Sequence, residues 1–198
     1  MELLVVGLDG LSFNMLSEFD VAADYLDRVG SGGIAGPLWS VDAPTTLPAW
    51  TSFATGQDPA SHGITNMLEQ GREYDIDPST PNHTAAAAYD LLDDAVFVNL
   101  PATVSREPAG DARLVSSFLA TDADEAVPPE LRDLDGFEDY VVKADTSLKS
   151  DPERYVEHVC EIVDARHRFA RAAFERSDPR VGFVLFSAPD WIGHHLTY

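Results

Sequence analysis

The sequence predicts an α/β fold: a mostly parallel β-sheet with helices on both faces. Three observations carry that prediction. The runs LLVVGL (Leu3–Leu8), AVFVNL (Ala95–Leu100) and VGFVLF (Val181–Phe186) are apolar without alternation, the pattern of parallel strands covered on both sides. A long amphipathic stretch with a strong start signal precedes the last run. The first and last runs each lead into acidic residues and glycine, and the last into histidine as well. The carboxyl ends of strands are where open α/β sheets form their ligand crevice.

In chain order, Leu3–Leu8 reads as a central strand with Asp9-Gly10 at its carboxyl end. A carboxylate there either meets a cation or hydrogen bonds, or caps the helix that begins near Leu11 or Ser12. That helix runs to Val29 with a weak stretch at Phe19–Asp20, and Gly30, Gly32 and Gly33 close it. The order and spacing of these glycines do not make a phosphate-binding fingerprint. Ile34–Val41 is a second extended stretch that delivers the chain to Thr45-Thr46. Pro48 suits the first turn of a helix, where its missing N–H has no partner to lose. A short helix therefore starts at Thr46, runs through Thr55 and stops at Gly56. Thr46 either caps that helix, worth about 1 kcal/mol, or offers a hydroxyl where the helix dipole favours an anion by ~0.3–1 kcal/mol.

Leu68–Asn82 is polar and rich in turn formers, a surface excursion. Thr84–Leu92 reads as a helix, Ala95–Leu100 as a buried strand and Pro101–Ala112 as a loop. Val115–Thr121 is extended, Ala126–Asp139 is acidic and loop-like, and Tyr140–Val142 is a short strand. Asp151-Pro152-Glu153 is a helix start: a cap, a proline at the first position and an acid on the positive end. Tyr155, Val156, Val159, Ile162, Val163, Phe169, Ala170 and Phe174 then fall roughly on one face. His158 and His167 read as surface histidines, and Cys160 as a small core residue of that helix.

The net charge is −21, from 34 acidic and 13 basic residues. The acids are spread along the chain, densest over Asp122–Asp139, and only Lys143 and Lys149 are lysines. Such a surface suits molar salt, where the Debye length is about 3 Å and self-repulsion is screened. No basic patch exists for nucleic acid. One cysteine rules out an internal disulfide and a cysteine zinc site. No apolar run approaches the ~20 residues of a membrane span, and no signal peptide is evident. The expectation is a cytoplasmic protein.

Asp9 after one strand, Thr46 at a helix start, and Asp190 and His194 after another strand form a constellation of acid, hydroxyl and imidazole. Acids and imidazoles at strand ends suit a divalent ion, and a hydroxyl at a helix N-terminus beside it suits phosphoryl transfer. The segments VVGLDG (Val5–Gly10), TLPAWTSFATGQDPASHGI (Thr46–Ile64) and PDWIGH (Pro189–His194) together resemble the type I phosphodiesterase/nucleotide pyrophosphatase family of the alkaline phosphatase superfamily. The middle segment is the specific one: T-x-P, then T-G, then P-x-S-H-G-I.

The resemblance implies an alkaline-phosphatase-like sheet, incomplete in this chain, and two divalent metal ions, zinc or else manganese. It implies that Asp9 binds the metal that holds the nucleophile. Thr46, two residues before the proline as T-x-P requires, is implied as that nucleophile and a ligand, transiently phosphorylated; Thr45 is out of register. Asp190 and His194 are implied as ligands of the second metal. His62 matches a family position as a packing residue, and His195 is unmatched. In nucleotide pyrophosphatases an asparagine after H-G-I holds a phosphate oxygen. Asn66 is the candidate here, one residue before that register, which falls on Met67. The want of a C-x-P-x-R stretch argues against a sulfatase.

The implied substrate is a small phosphate ester or nucleotide, with no nucleic-acid or membrane partner. The family carries further ligands in a D-H-G motif and a later histidine, and this sequence holds no D-H-G. The expectation is thus residues 1–198 as the N-terminal portion of one catalytic domain, with a cap or insertion around 68–142, poor metal binding and little or no activity by itself. A non-catalytic remnant or α/β binding module, and a phosphotransferase or phosphomutase of the same superfamily, are the alternatives.

Overall fold

The computed structural model describes residues 1–18, 24–42, 44–66, 85–104, 106–117, 120 and 126–196. Its centre is a five-stranded sheet of β1 (Leu3–Leu8), β2 (Ala95–Val98), β3 (Arg113–Val115), β4 (Ala126–Val127) and β5 (Val181–Phe186), in the order β1-β5-β2-β3-β4. The first four strands in that order run parallel, and β4 is antiparallel to β3. Parallel pairing brings the carboxyl ends of β1, β5 and β2 to one edge. The register places Leu8 beside Phe186 and Val98 beside Val184.

Helices cover both faces. Alternation along a strand sends neighbouring residues to opposite sides. Val96, Val98 and Val184 pack with Phe169, Ala170 and Ala173 of the long helix α6 (Pro152–Ser177). Phe97, Phe183 and Leu185 pack on the other face with Trp50 and Ala54 of α3 (Thr46–Thr55) and Tyr89 of α5 (Ala88–Leu91). Helix α6 begins as predicted: the Asp151 side chain accepts from the Arg154 amide at 3.2 Å, with Pro152 at the first position. Helices α1 (Phe13–Glu18), α2 (Asp24–Gly32), α4 (Pro59–His62) and α7 (Ala188–Leu196) complete the described set. None of the described helices is long and apolar enough to cross a membrane.

Several expectations need correction. Strand β1 is not central among the described residues: it pairs only with β5, and Leu3, Leu4 and Val6 are about half exposed. An apolar run records what a strand is suited to, and within the described chain only one flank of β1 has a partner. The single helix expected from Leu11 to Val29 is instead α1 and α2, and the weak point at Phe19–Asp20 lies outside the described residues. Ile34–Val41 joins no strand, and Ile34, Leu38 and Trp39 are almost fully exposed.

The helix expected over Thr84–Leu92 is confined to Ala88–Leu91, with Thr84 outside the described residues. Ala126–Asp139 contains β4 and a 3₁₀ turn at Pro129–Asp133. Tyr140–Val142 is no strand: Tyr140 and Val142 are buried, but the segment runs between sheet and α6 without ladder bonds. Cys160 is exposed on α6, because the buried stripe follows Tyr155, Val159 and Ile162 instead.

Candidate active site

The site is built at the carboxyl ends of β1 and β5. Strand β1 ends at Leu8, and the amide of the following Asp9 still bonds the Phe186 carbonyl at 3.0 Å. Two glycines of the VVGLDG segment let other elements close in. A Cβ on Gly7 would lie 2.6 Å from Leu185 Cδ1 and 2.8 Å from the Trp50 ring, so the bare backbone is what admits Trp50 over β1. Gly10 has φ of 72°, and a Cβ there would lie 2.7 Å from Asp190 Cα. Glycine adopts this left-handed turn freely, and it lets the first turn of α7 sit against the end of β1.

Helix α3 brings the hydroxyl. Thr45 is extended and makes no side-chain capping bond, while Thr46 is the first helical residue; the helix ends at Gly56, whose φ is 66°. Thr46 and Trp50 are one turn apart and share a face. The indole Nε1 of Trp50 donates to Asp9 Oδ1 at 3.1 Å, and the Thr46 hydroxyl lies near enough to the Asp9 carboxyl to help lower its titration. Trp50 was not singled out by sequence reasoning, although its spacing of four from Thr46 was the available signal.

The turn after α3 is anchored by His62, which is fully buried. Its Nδ1 accepts from the Ile64 amide at 3.1 Å, which leaves the proton on Nε2 to meet Ser52 Oγ at 2.9 Å. Burial holds this imidazole below its ordinary range, against raising contributions from the Pro48 carbonyl and Asp58. His62 is a packing residue in this structure. Ile64 packs with Leu47, the neighbour of Thr46, and with Ala102. The chain therefore returns to the start of α3 just before Asn66, which is exposed; Met67 lies outside the described residues.

Helix α7 supplies the other pair. Asp190 lies in its first turn, and His194 Nε2 stands 3.3 Å from Asp190 Oδ1 one turn later. Ala188, Trp191 and Ile192 pack α7 on Tyr155, Val159 and Ile162 of α6. The side chain of His195 lies outside the described residues.

Asp9 thus lies near Thr46 and Asp190, and His194 stands beside Asp190, but Asp9, Asp190 and His194 do not gather as one set of ligands. Burial pushes the Asp9 carboxyl above its usual range; the Asp190 charge adds to this, while hydrogen bonds from Trp50, Thr46 and the Gly10 amide oppose it. No lysine or arginine pairs with either carboxylate among the described residues. Carboxylates, a hydroxyl and an imidazole are donor chemistry for a divalent cation. The number of donors is short: among the described residues no three His, Cys, Asp or Glu side chains gather as a metal site.

A parallel-sheet α/β protein with acids, a helix-start threonine and an imidazole at the strand ends defines a class of candidate ester hydrolases. The family model of type I phosphodiesterase / nucleotide pyrophosphatase matches residues 3–198, and the chain belongs to that family. Its mixed sheet with helices on both faces agrees with the alkaline-phosphatase-like fold. No curated protein and no solved structure matches the chain.

Proposed function

We propose that the chain carries the nucleophile-bearing part of a metal-dependent phosphodiesterase or nucleotide pyrophosphatase, with Thr46 as the nucleophile. The observation that supports this best is a part-buried Asp9 carboxylate, held by the Trp50 indole at 3.1 Å, with the Thr46 hydroxyl and Asp190 near enough to shift its titration. Asp9 and Thr46 would hold one divalent ion and Asp190 and His194 a second, zinc being favoured by the imidazole. Such ions, when bound, make hydroxyl and water better nucleophiles and offset phosphate charge.

The chain's own residues do the rest. Trp50 fixes the Asp9 carboxylate, and Asp9 in turn would orient the nearby Thr46 hydroxyl. The opening turn of α3 places positive dipole where a phosphate oxygen comes to rest. Oγ bonds to phosphorus as the bond to the leaving alcohol breaks, and that alcohol departs with a proton. Water then splits the Oγ–P bond, restoring the hydroxyl and releasing the phosphate monoester. Asn66 is the proposed contact to a phosphate oxygen. With two donors for each ion, the chain by itself holds metal weakly and turns over slowly. The acidic surface fits a protein that works in the cytoplasm of a salt-rich cell.

The shortage of donors also favours a second reading, a non-catalytic remnant or binding module. Vanadate with zinc separates the two. In molar potassium chloride the pair raises the melting temperature of the hydrolase and leaves Thr46→Ala unmoved by vanadate. A binding module melts identically with and without both additives.

A further inference from the structure

Behind the site, two buried polar side chains grip one carbonyl. Leu185 is the penultimate residue of β5, two residues before α7 is entered through Ser187. Its carbonyl accepts from Asn99 Nδ2 at 2.9 Å and from Arg166 Nη1 at 3.4 Å. Asn99 Nδ2 also lies 3.4 Å from Ser187 Oγ. Asn99 follows β2 in a left-handed conformation with φ of 64°, and its amide bonds the Val115 carbonyl at 2.9 Å. Arg166 comes from α6 and also donates from Nη2 to the Val141 carbonyl at 3.0 Å. Its guanidinium lies 5.4 Å from the Tyr140 ring centre and 5.7 Å from that of Trp191, which belongs to α7.

Neither residue is well explained as a contributor to stability. Both are about 1% exposed. Asn99 Oδ1 and Arg166 Nε are buried with no partner among the described residues, and no carboxylate pairs with Arg166 there. A buried cation without a counter-charge and an orphaned amide oxygen are both unfavourable, and apolar side chains of similar volume would pack without that penalty. What the pair does achieve is geometric. It ties β2, α6 and the segment around Tyr140 to the point where β5 hands over to α7, and Arg166 braces the ring next to Asp190.

We propose that Asn99 and Arg166 are positioning residues for Asp190 and His194: by holding the Leu185 carbonyl they fix where α7 starts and so where its acid and imidazole stand relative to Asp9 and Thr46. The second half of this statement rests on the site proposed above; the first does not.

The test uses the whole chain and two readouts. Asn99→Gly keeps the left-handed backbone and removes the whole side chain, the amide group with its methylene. Arg166→Met removes the donors but keeps the stem, and Arg166→Lys restores the charge and one donor direction. Amide hydrogen exchange is followed peptide by peptide. In Asn99→Gly the Ser187–His194 amides exchange at least tenfold faster while the interior of α6 is unchanged. Arg166→Met shows the same local loss, partly recovered in Arg166→Lys. Uniform acceleration over the chain, or no change at α7, overturns the proposal. Zinc titration by tryptophan fluorescence is the second readout. Zinc affinity about tenfold weaker in Asn99→Gly supports the link to the site, and wild-type affinity with a loosened α7 removes it. If the unaltered chain binds no zinc, the metal-site reading fails, and the exchange data still decide whether the clamp positions α7.

Discussion

At the scale of residues, Asp9 carries the balance between stability and chemistry. Its carboxyl is raised above the ordinary value of 3.8. The folded chain therefore binds that proton more tightly than the unfolded chain, so this contribution favours folding at acid pH and is lost as pH rises through the raised value. Burial and the Asp190 charge both disfavour the ionised carboxylate, a penalty that a bound cation would offset. Asp9→Asn should raise the melting temperature of the metal-free chain, a gain on the order of 1 kcal/mol, and abolish the zinc-induced shift. Gly10→Ala should act the other way. It forces a side chain into a left-handed turn and against Asp190, at about 1–3 kcal/mol, with the zinc response lost too. Asp9, Thr46, Asp190 and His194 were singled out because each follows a sharp local signal: a strand end, a T-x-P helix start, a D-x-x-G-H after a strand; their roles belong to the proposal above. Asn99 and Arg166 were not, because their meaning lies in a shared carbonyl 86 and 19 residues away, a relation that no local pattern encodes.

At the scale of elements, the α3–α4 unit and α6 make separate predictions. The neutral imidazole of His62 joins the two short helices through Ser52 and Ile64. Its value lies below the ordinary 6.5, so its contribution is complete above pH 6.5 and erodes below it as the unfolded chain takes up the proton first. Urea melts at pH 7.5 and pH 5 should differ by less in His62→Gln than in the unaltered chain. Asp151→Ala should cost α6 about 1 kcal/mol through its lost cap, visible as a lower urea midpoint with unchanged slope. Helices α3 and α6 and strand β5 were read closely from caps, prolines and apolar runs, since those signals are local. Cys160 and the Tyr140–Val142 segment were misread for the opposite reason. Which face of α6 is buried, and whether a short apolar stretch pairs with a sheet, are settled by packing against elements far along the chain.

At the scale of the whole molecule, a net charge of −21 sets the conditions under which the fold is measured. The Debye length shrinks from about 10 Å at 0.1 M salt to about 3 Å at 1 M. The melting temperature should therefore climb by several degrees over that range in potassium chloride, and an unchanged or falling value would refute the reading of the acids as salt adaptation. The sheet class was legible because three apolar runs announced it; the place of β1 was not, because a sequence shows what a strand can bury and not what stands beside it. The central claim is that Thr46 attacks phosphorus. The most direct measurement is to incubate the chain with zinc and an activated aryl phosphodiester in molar potassium chloride, quench in acid and map the adduct by mass spectrometry. The account predicts one phosphoryl ester adduct, on Thr46, absent from Thr46→Ala. An adduct on Thr45, or zinc-dependent turnover that persists undiminished in Thr46→Ala, would contradict it.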